Sequence, residues 1–387
     1  MASARSHARR DATKAPARSH GHEDVQIGTT LDEVVDLVVD RLPGGLIDSA
    51  SAARIRASVA RVPAELVARF GLECELSTAA AAEANVLFAA DSETGGMQML
   101  AGRHPLVSLP DELARADSWA PVVRFCGRRE PGFLLHRATR DVWVDLARRD
   151  DPSCSFGLRL SGLPEATRRP LEVVIRALEV GFETLRGAPL DPPALTSMRA
   201  LVRHLPDTAR VDRAGLMAGL PDDDVRLWLT RLSPEEIGDL VETTRDRDEA
   251  RQIRGLLDHP ALRAGVTGAR IDIRDGVERM VGLICTVDPA GSPAQVAARW
   301  RPLLDRLVAG GLCAARKRDA LLRCHGLLRE RPSERWPEHL TRLSKLFGDG
   351  TQSVLEWRLH HICIECDRGE PVHATATIVA AHGWSRR

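Results

Sequence analysis

The chain has 387 residues, enough for one large domain or two ordinary ones, and 43% of it is hydrophobic, so it can bury a sizeable core. Its formal net charge of zero argues against a nucleic-acid or membrane-surface protein driven by bulk charge. No apolar run reaches the roughly 18 residues of a membrane span, and no signal-peptide segment stands near the start. We therefore expect a cytoplasmic protein that binds neither nucleic acid nor membrane, with reduced cysteine thiols.

Composition and periodicity divide the chain into two parts. Residues 1–27 are polar, rich in Arg, Ala and His, and lack periodicity, which predicts a disordered tail. Residues 28–387 predict a single α+β domain. It opens with a helix after Thr30 and a second helical stretch over residues 49–68.

The first two strand pairs lie in residues 70–161. Alternating polar and apolar residues predict strands over 70–77 and 85–91, then over 141–146 and 154–161. Between these pairs, short apolar runs at 122–126 and 132–136 favour two further short strands.

Helical segments separate the second pair from the next two. The third pair is predicted at 215–220 and 225–232, and the fourth at 269–274 and 277–287. Asp275 and Gly276 form the dipeptide favoured by two-residue hairpin turns. Ser233 with Glu236 has the spacing of a helix capping box, and Ser292 followed by Pro293 begins another helix.

The fifth pair, residues 355–381, alternates most regularly. Its arms flank a polar turn with Gly369 and Pro371. One face is apolar, and the other carries groups capable of chemistry: His361, Cys363, Glu365, His373, Thr375 and Thr377.

Strands in pairs between helices predict an antiparallel sheet, because a parallel fold would alternate single strands with helices. About five such pairs, each apolar on one face and polar on the other, fit a closed antiparallel barrel. Helices would cover its outside and polar side chains would line its lumen.

This arrangement over residues 50–384 resembles the prenyltransferase barrel, the αββα-repeat fold of bacterial and fungal aromatic prenyltransferases. The resemblance lies in architecture, and no specific motif accompanies it. It implies an enzyme that holds a prenyl diphosphate with Arg and Lys side chains inside the lumen, where aromatic residues, many of them Tyr, shield an allylic cation.

The predicted lumen face supplies part of such a site. Guanidinium groups suit bidentate phosphate contacts, Trp rings can face a cation, and a carboxylate can act as a general base. The candidates for substrate binding are Arg159, Arg226, Arg270, Arg274, Trp143 and Trp228, and the candidate acids are Glu73, Glu75, Asp145 and Asp272.

The sequence also departs from the family's pattern. It has no Tyr, and none of its three lysines lies on a predicted strand. The last hairpin carries Cys363 and Thr375 where a Lys on each arm would suit the family. The resemblance therefore implies a diphosphate site that has been lost or repurposed.

Two groups of residues have the composition of a metal site, and each also fits a simpler interpretation. His361, Cys363 and His373 could supply three zinc ligands, but they also fit ordinary lumen-filling strand residues. Residues 222–224 are three aspartates that could hold magnesium with a diphosphate, or form a polar turn. The sequence assigns no metal, and the cofactor is unknown.

Two functional hypotheses follow. The first is a bacterial transferase of specialised metabolism that acts on an aromatic or peptide substrate, with Asp272 or Glu73 accepting a proton. The alternative is a maturation protein for ribosomally made peptides, suggested by a fainter resemblance to bacterial proteins that accompany peptide-modifying enzymes. It would be a cyclase in which His361 or His373 moves protons, or a non-catalytic partner that presents a peptide to another biosynthetic enzyme.

Overall fold

The computed structural model describes most of the chain from Thr30 onward. The described residues are 30–386 without 78–82, 106, 129–133, 147–152, 159–169, 217–223, 245–246, 275–276, 332–335 and 349. Side chains at 170, 274 and 277–281 also lie outside the description, as does the predicted disordered tail over residues 1–27.

The described part of the chain contains fourteen α-helices. They are α1 (Leu31–Val39), α2 (Ser49–Val59), α3 (Gly96–Leu100), α4 (Asp111–Ala114), α5 (Ala120–Gly127), α6 (Leu134–Ala138), α7 (Pro170–Arg186), α8 (Pro192–His204), α9 (Pro234–Thr244), α10 (Arg247–Leu257), α11 (Pro260–Arg263), α12 (Pro293–Ala309), α13 (Ala315–Leu321) and α14 (Glu338–Phe347).

Eleven strands alternate with these helices, mostly in pairs. They are β1 (Arg69–Glu75), β2 (Ala84–Asp91), β3 (Thr139–Leu146), β4 (Ser153–Leu158), β5 (Arg210–Leu216), β6 (Val225–Thr230), β7 (Val266–Arg274), β8 (Val277–Cys285), β9 (Gly326–Arg329), β10 (Thr351–Asp367) and β11 (Glu370–Arg386).

The strands form one antiparallel sheet in the order β11-β1-β2-β3-β4-β5-β6-β7-β8-β10-β9. β10 also pairs with β11, which closes β1–β8, β10 and β11 into a ten-stranded barrel. The closing contacts join the first strand to the last, with Arg69 opposite Ala381. This confirms the predicted α+β fold, a closed antiparallel barrel built from strand pairs alternating with helices.

Beyond the barrel, β10 and β11 continue as a long hairpin, and β9 joins the edge of β10 there. Gly326 of β9 is required at this edge because a Cβ atom would lie 2.0 Å from the Trp357 ring. β9, β10 and β11 thus form a three-stranded extension of the barrel wall.

Strand alternation divides the barrel wall into two faces. Apolar residues such as Leu72, Phe88 and Phe156 are fully buried in the core outside the barrel. Their strand neighbours, including Glu73, face the lumen. The last hairpin follows the predicted pattern, because Ile362, Ile364, Ala374 and Ala376 belong to the outer core.

Helix capping also follows the sequence. The Ser233 backbone NH donates to Glu236 Oε2 at 2.7 Å, and the Glu236 NH donates to Ser233 Oγ at 3.2 Å. Ser292 and Gln295 form a full capping box at the start of α12. These caps fix where α9 and α12 begin.

Four local predictions were wrong. The helical stretch predicted over residues 49–68 ends at Val59, and a single 3-10 turn follows at Ala64–Leu66. Residues 122–126 and 134–136 lie in α5 and α6, because Val122, Phe125 and Cys126 have the spacing that buries one face of a helix. The third strand pair begins earlier than predicted, at Arg210.

Candidate functional site

A cavity of about 320 Å³ lies within the barrel at the end where the strand pairs turn. Its described lining combines three arginines with three carboxylates: Arg213, Arg226, Arg270, Glu73, Asp145 and Glu365. Trp143, Trp228 and His373 also line it. The arrangement brings cations, proton acceptors and aromatic faces together in one enclosed volume.

One side of the cavity, formed by β6, β7 and β10, is an ion-pair band. Arg226 donates from Nε and Nη2 to the two carboxylate oxygens of Asp272, each at 2.7 Å. Arg270 Nη2 donates to Glu365 Oε1 at 2.7 Å, and its Nε lies 3.7 Å from Asp272 Oδ1. Asp272 has no exposed surface. The charges on this side therefore largely satisfy one another.

The Arg226–Asp272 pair follows from strand register, because the two residues lie directly opposite each other on β6 and β7. Arg270 needs room across β8, and Gly282 provides it: a Cβ atom there would lie 3.1 Å from Arg270 Cβ and 2.8 Å from Cys363 Sγ.

The neighbouring part of the cavity wall, formed by β3 and β5 and bordering β6, has a different character. The guanidinium carbon of Arg213 lies 3.8 Å from the centre of the Trp228 ring and 5.3 Å from that of Trp143. Arg213 has no hydrogen bond or salt bridge with any residue that the structure describes. Burial lowers the pKa of Arg213 to about 10, opposed by Glu73 and Asp145, so the group stays cationic near neutrality.

Asp145 lies beside this arginine on β3. Burial, and after it the Glu73 carboxylate, raise the pKa of Asp145 from 3.8 to about 7, against the opposing charges of Arg213 and Arg226. Within the described residues, Asp145 Oδ1 is buried without a hydrogen-bond partner. A carboxyl that titrates near neutrality at a cavity wall can accept or donate a proton.

The structure places the predicted site residues in three kinds of position. Glu73, His373, Arg226, Arg270, Trp143 and Trp228 line the cavity. Asp272 lies behind Arg226 and Arg270, enclosed in the ion-pair band. Arg159 and the Arg274 side chain lie outside the described residues. The structure therefore gathers most of the predicted set, but Asp145 rather than Asp272 lines the cavity.

His361 lies deeper in the lumen than His373. Its Nε2 is 3.2 Å from Thr377 Oγ1, and its Nδ1 is 2.9 Å from His360 Nδ1. His373 lies nearer the mouth, with Nδ1 3.8 Å from Glu75 Oε1. The two histidines thus have different neighbours.

The zinc alternative is not supported. Among the described residues, no group of three or more His, Cys, Asp or Glu side chains could hold a metal ion. Burial raises the pKa of the Cys363 thiol, so it is not a reactive thiolate near neutrality. Residues 222 and 223 of the aspartate run lie outside the description.

Sequence reasoning missed Arg213. The alternation in the sequence predicts the third pair only from Gly215 onward, whereas β5 covers Arg210–Leu216. A register shift between Val211 and Arg213 marks a bulge at Asp212, which interrupts the alternation that would have revealed the strand.

A second, larger space of about 420 Å³ lies on the three-stranded extension. We call it the hairpin groove; it is lined in part by Arg329, Glu356, Arg358, His360, Ala381 and Trp384. Near this end of the barrel, a network joins Arg69 to Asp141, Asp141 to Arg140, and Arg140 to Asp212.

Comparison with known proteins gives structural similarity only. No protein-family model and no curated protein matches the chain. Among solved structures it is similar to 5-dimethylallyl tryptophan synthase from Streptomyces coelicolor in complex with DMASPP and Trp, with 15% identity, a TM-score of 0.46, and coverage of 92% of this chain and 95% of that one.

The prenyltransferase PriB in its apo form is 14% identical with a TM-score of 0.45, covering 91% of this chain and 93% of its own. AnaPT from Neosartorya fischeri is 14% identical with a TM-score of 0.39, covering 80% and 77%. These TM-scores lie below 0.5, and the barrel is established by the strand pairing of this chain itself. No helix in the described residues is long and apolar enough to cross a membrane.

Proposed function

We propose that this chain is a transferase of the prenyltransferase type, which moves an allylic group from a diphosphate to an aromatic or peptide substrate inside the barrel. The observation that carries the proposal is Arg213, a cationic guanidinium held between two Trp rings without a partner among the described residues. Such a group is available to an anion, whereas Arg226 is already paired with Asp272.

The proposed reaction uses the two sides of the cavity differently. Arg213 holds the diphosphate while the bond between the diphosphate oxygen and the allylic carbon breaks. The cavity-facing sides of Arg226 and Arg270 assist it. The rings of Trp143 and Trp228 already contact a guanidinium cation, which is the environment that a developing allylic cation requires.

The nucleophilic carbon of the substrate then bonds to the allylic carbon and must lose a proton. Glu73 and Asp145 are the acceptors of choice, because both line the cavity and Asp145 titrates near neutrality. We place the enzyme in the cytoplasm of a bacterium and in specialised metabolism, alongside partner biosynthetic enzymes that supply or consume its substrate.

Calorimetric titration with dimethylallyl and geranyl diphosphate, with and without magnesium, tests the proposal. We expect micromolar binding by the wild type and a loss of roughly a hundredfold for Arg213→Gln, the cost of removing a buried charge-assisted contact. Arg210→Gln is the matched control, since Arg210 is exposed on the same strand and donates to backbone carbonyls. Absence of binding by the wild type would overturn the proposal.

A second candidate is maturation of a ribosomally made peptide, as a cyclase or as a non-catalytic binder. Its support is the equal number of arginines and carboxylates in the described lining, which suits a zwitterionic peptide segment better than a polyanion. Substitution of His361, His373 or Arg270 distinguishes a cyclase from a non-catalytic binder. A cyclase variant should lose turnover while still binding the peptide, and a binder variant should lose only affinity for it.

A further inference from the structure

A bulge in β10 places two consecutive histidines on the lumen side. Leu359 pairs with Ile378 and His361 pairs with Thr377, so His360 is the extra residue between them. In a regular strand adjacent side chains point to opposite faces, but a bulge redirects one of them. The two rings meet nearly at right angles, at 82°, with their Nδ1 atoms 2.9 Å apart.

His361 continues toward the cavity. Its Nε2 lies 3.2 Å from the hydroxyl of Thr377, which is 2% exposed. Thr377 lies directly opposite Glu73 on β1, and Glu73 lines the cavity. Opposite residues in an antiparallel pair have Cβ atoms about 5 Å apart, within reach of a carboxylate and a hydroxyl.

On the side away from the cavity, these side chains reach the hairpin groove. His360 lines this groove and is solvent-exposed. Thr377, His361 and His360 thus form a hydrogen-bonded row that runs from beside Glu73, its strand partner on β1, to a second solvent-facing space. The ion pair between Arg69 and Asp141 lies at the same end of the barrel as the groove, on β1 and β3.

The surroundings favour uncharged imidazoles. Burial holds the pKa of His361 well below its ordinary value of 6.5. His360 and the positive charges of Arg213 and Arg270 lower it further. A neutral imidazole accepts a proton at one nitrogen and donates from the other, so it can pass a proton on without resting as a cation.

We propose that Thr377, His361 and His360 form a relay that carries the proton released by the substrate from Glu73 to the hairpin groove. The inference rests on the proposed function, since alkylation of a carbon nucleophile must release one proton. It adds an exit route that the cavity residues alone do not provide when substrate fills the mouth of the barrel.

The transfer balances at each step. Glu73, having taken the substrate proton, gives it to Thr377 Oγ as the Thr377 hydroxyl proton passes to His361 Nε2. His361 then releases the proton on Nδ1 to His360 Nδ1, and His360 releases the proton on Nε2 to water in the groove. One proton enters and one leaves.

Turnover of the full-length protein with dimethylallyl diphosphate and its acceptor tests the relay. Thr377→Val removes the hydroxyl at nearly constant volume, and Thr377→Ser keeps it. We expect kcat of the Val variant to fall about tenfold while its affinity for the diphosphate stays unchanged. This loss is smaller than the full rate contribution of general acid–base catalysis. The Ser variant should retain most of the wild-type rate. Equal losses in both variants would indicate a packing role and overturn the relay.

Chemical rescue provides a readout that a structural role would not move. His360→Ala leaves space in an open groove, so added imidazole should restore the rate in a saturable manner. Wild-type rates in both His360→Ala and Thr377→Val, or no rescue of a slow His360→Ala variant, would overturn the relay.

Nitrogen NMR of labelled histidine separates this proposal from the proposed function. The relay requires His361 protonated at Nδ1 and His360 protonated at Nε2 in the free protein. Finding the opposite tautomers would overturn the relay even if the enzyme is active. A wild type that binds no diphosphate would instead remove the proposed function, while the tautomers would still decide whether the hydrogen-bonded row exists.

Discussion

The two sides of the cavity contain similar residues in opposite electrostatic situations. On β6 and β7, Arg226 has a bidentate partner in a fully buried carboxylate. On β5, Arg213 contacts the same Trp228 ring but has no charged partner within 4 Å among the described residues. A paired guanidinium stabilises the wall that holds it, whereas an unpaired one retains its capacity for a ligand.

The carboxylates differ in the same way. Asp272 is neutralised by two arginines, and Asp145 remains without a hydrogen-bond partner for Oδ1 in the described structure. We therefore expect loss of the Asp272 carboxylate, which lies behind the two arginines, to affect mainly the free energy of unfolding. Substitutions on the Arg213 side should affect mainly pH dependence and ligand binding.

Removing Asp272 should have the largest effect on stability. Asp272→Ala leaves Arg226 and Arg270 in the wall without their shared partner, which typically costs about 3–5 kcal/mol for a buried pair. Urea denaturation followed by circular dichroism measures the change. A loss below about 1 kcal/mol would mean that water or Glu365 replaces the carboxylate, and the contrast between the two sides would disappear.

Substituting Asp145 should raise the free energy of unfolding rather than lower it, and only at high pH. The folded pKa is about 7, above the ordinary 3.8, so the folded state binds the proton more tightly and loses stability as pH rises between these values. Asp145→Asn should therefore be more stable than the wild type by roughly 1–3 kcal/mol at pH 8 and nearly equal to it at pH 4. Parallel pH profiles for the two proteins would contradict the raised pKa.

The Trp contacts of Arg213 should show a smaller coupling. A double-mutant cycle on unfolding, combining Arg213→Met with Trp228→Leu, should give about 0.5–2 kcal/mol of favourable interaction. The same cycle with Trp143→Leu should give less, since that ring centre is 5.3 Å away rather than 3.8 Å. Equal couplings would indicate that packing rather than the cation–π contact holds the guanidinium.

An exposed ion pair supplies the lower limit of the comparison. Asp239 pairs with Arg254 at 2.7 Å, but the Asp239 side chain is 73% exposed. Asp239→Ala should change the free energy of unfolding by less than about 1 kcal/mol, and high salt should abolish the difference. A larger, salt-resistant loss would show that exposure does not set the scale of these ion pairs.

Much of the barrel could be predicted because apolar and polar residues alternate along a strand, which assigns each residue to the core or to the lumen. In the last hairpin, Ile362 and Ile364 are core residues and His361 and Glu365 face inward, as alternation requires. The short apolar run at 122–126 could not be assigned in this way. Five residues fit a strand or one turn and a half of helix equally well, and packing decided for the helix.

The electrostatics of the site depended on contacts between distant segments. Nothing local distinguishes Asp272 from Asp145, since both alternate with apolar residues on a strand. Arg226 neutralises one of them because of the register between β6 and β7, and a bulge at Asp212 concealed Arg213. Residue types were therefore predictable, while their pairing was not.

Closure of the barrel by β1 and β11 also bears on how the protein folds. Arg69 meets Ala381 only when nearly the whole described chain has been gathered between them. Such distant contacts slow folding, because chain entropy is lost long before the contacts form. We expect the hairpins and their helices to assemble first and the β1–β11 seam to form last. Until then β1 exposes an unpaired edge, and we expect this edge to make the newly synthesised chain prone to aggregation.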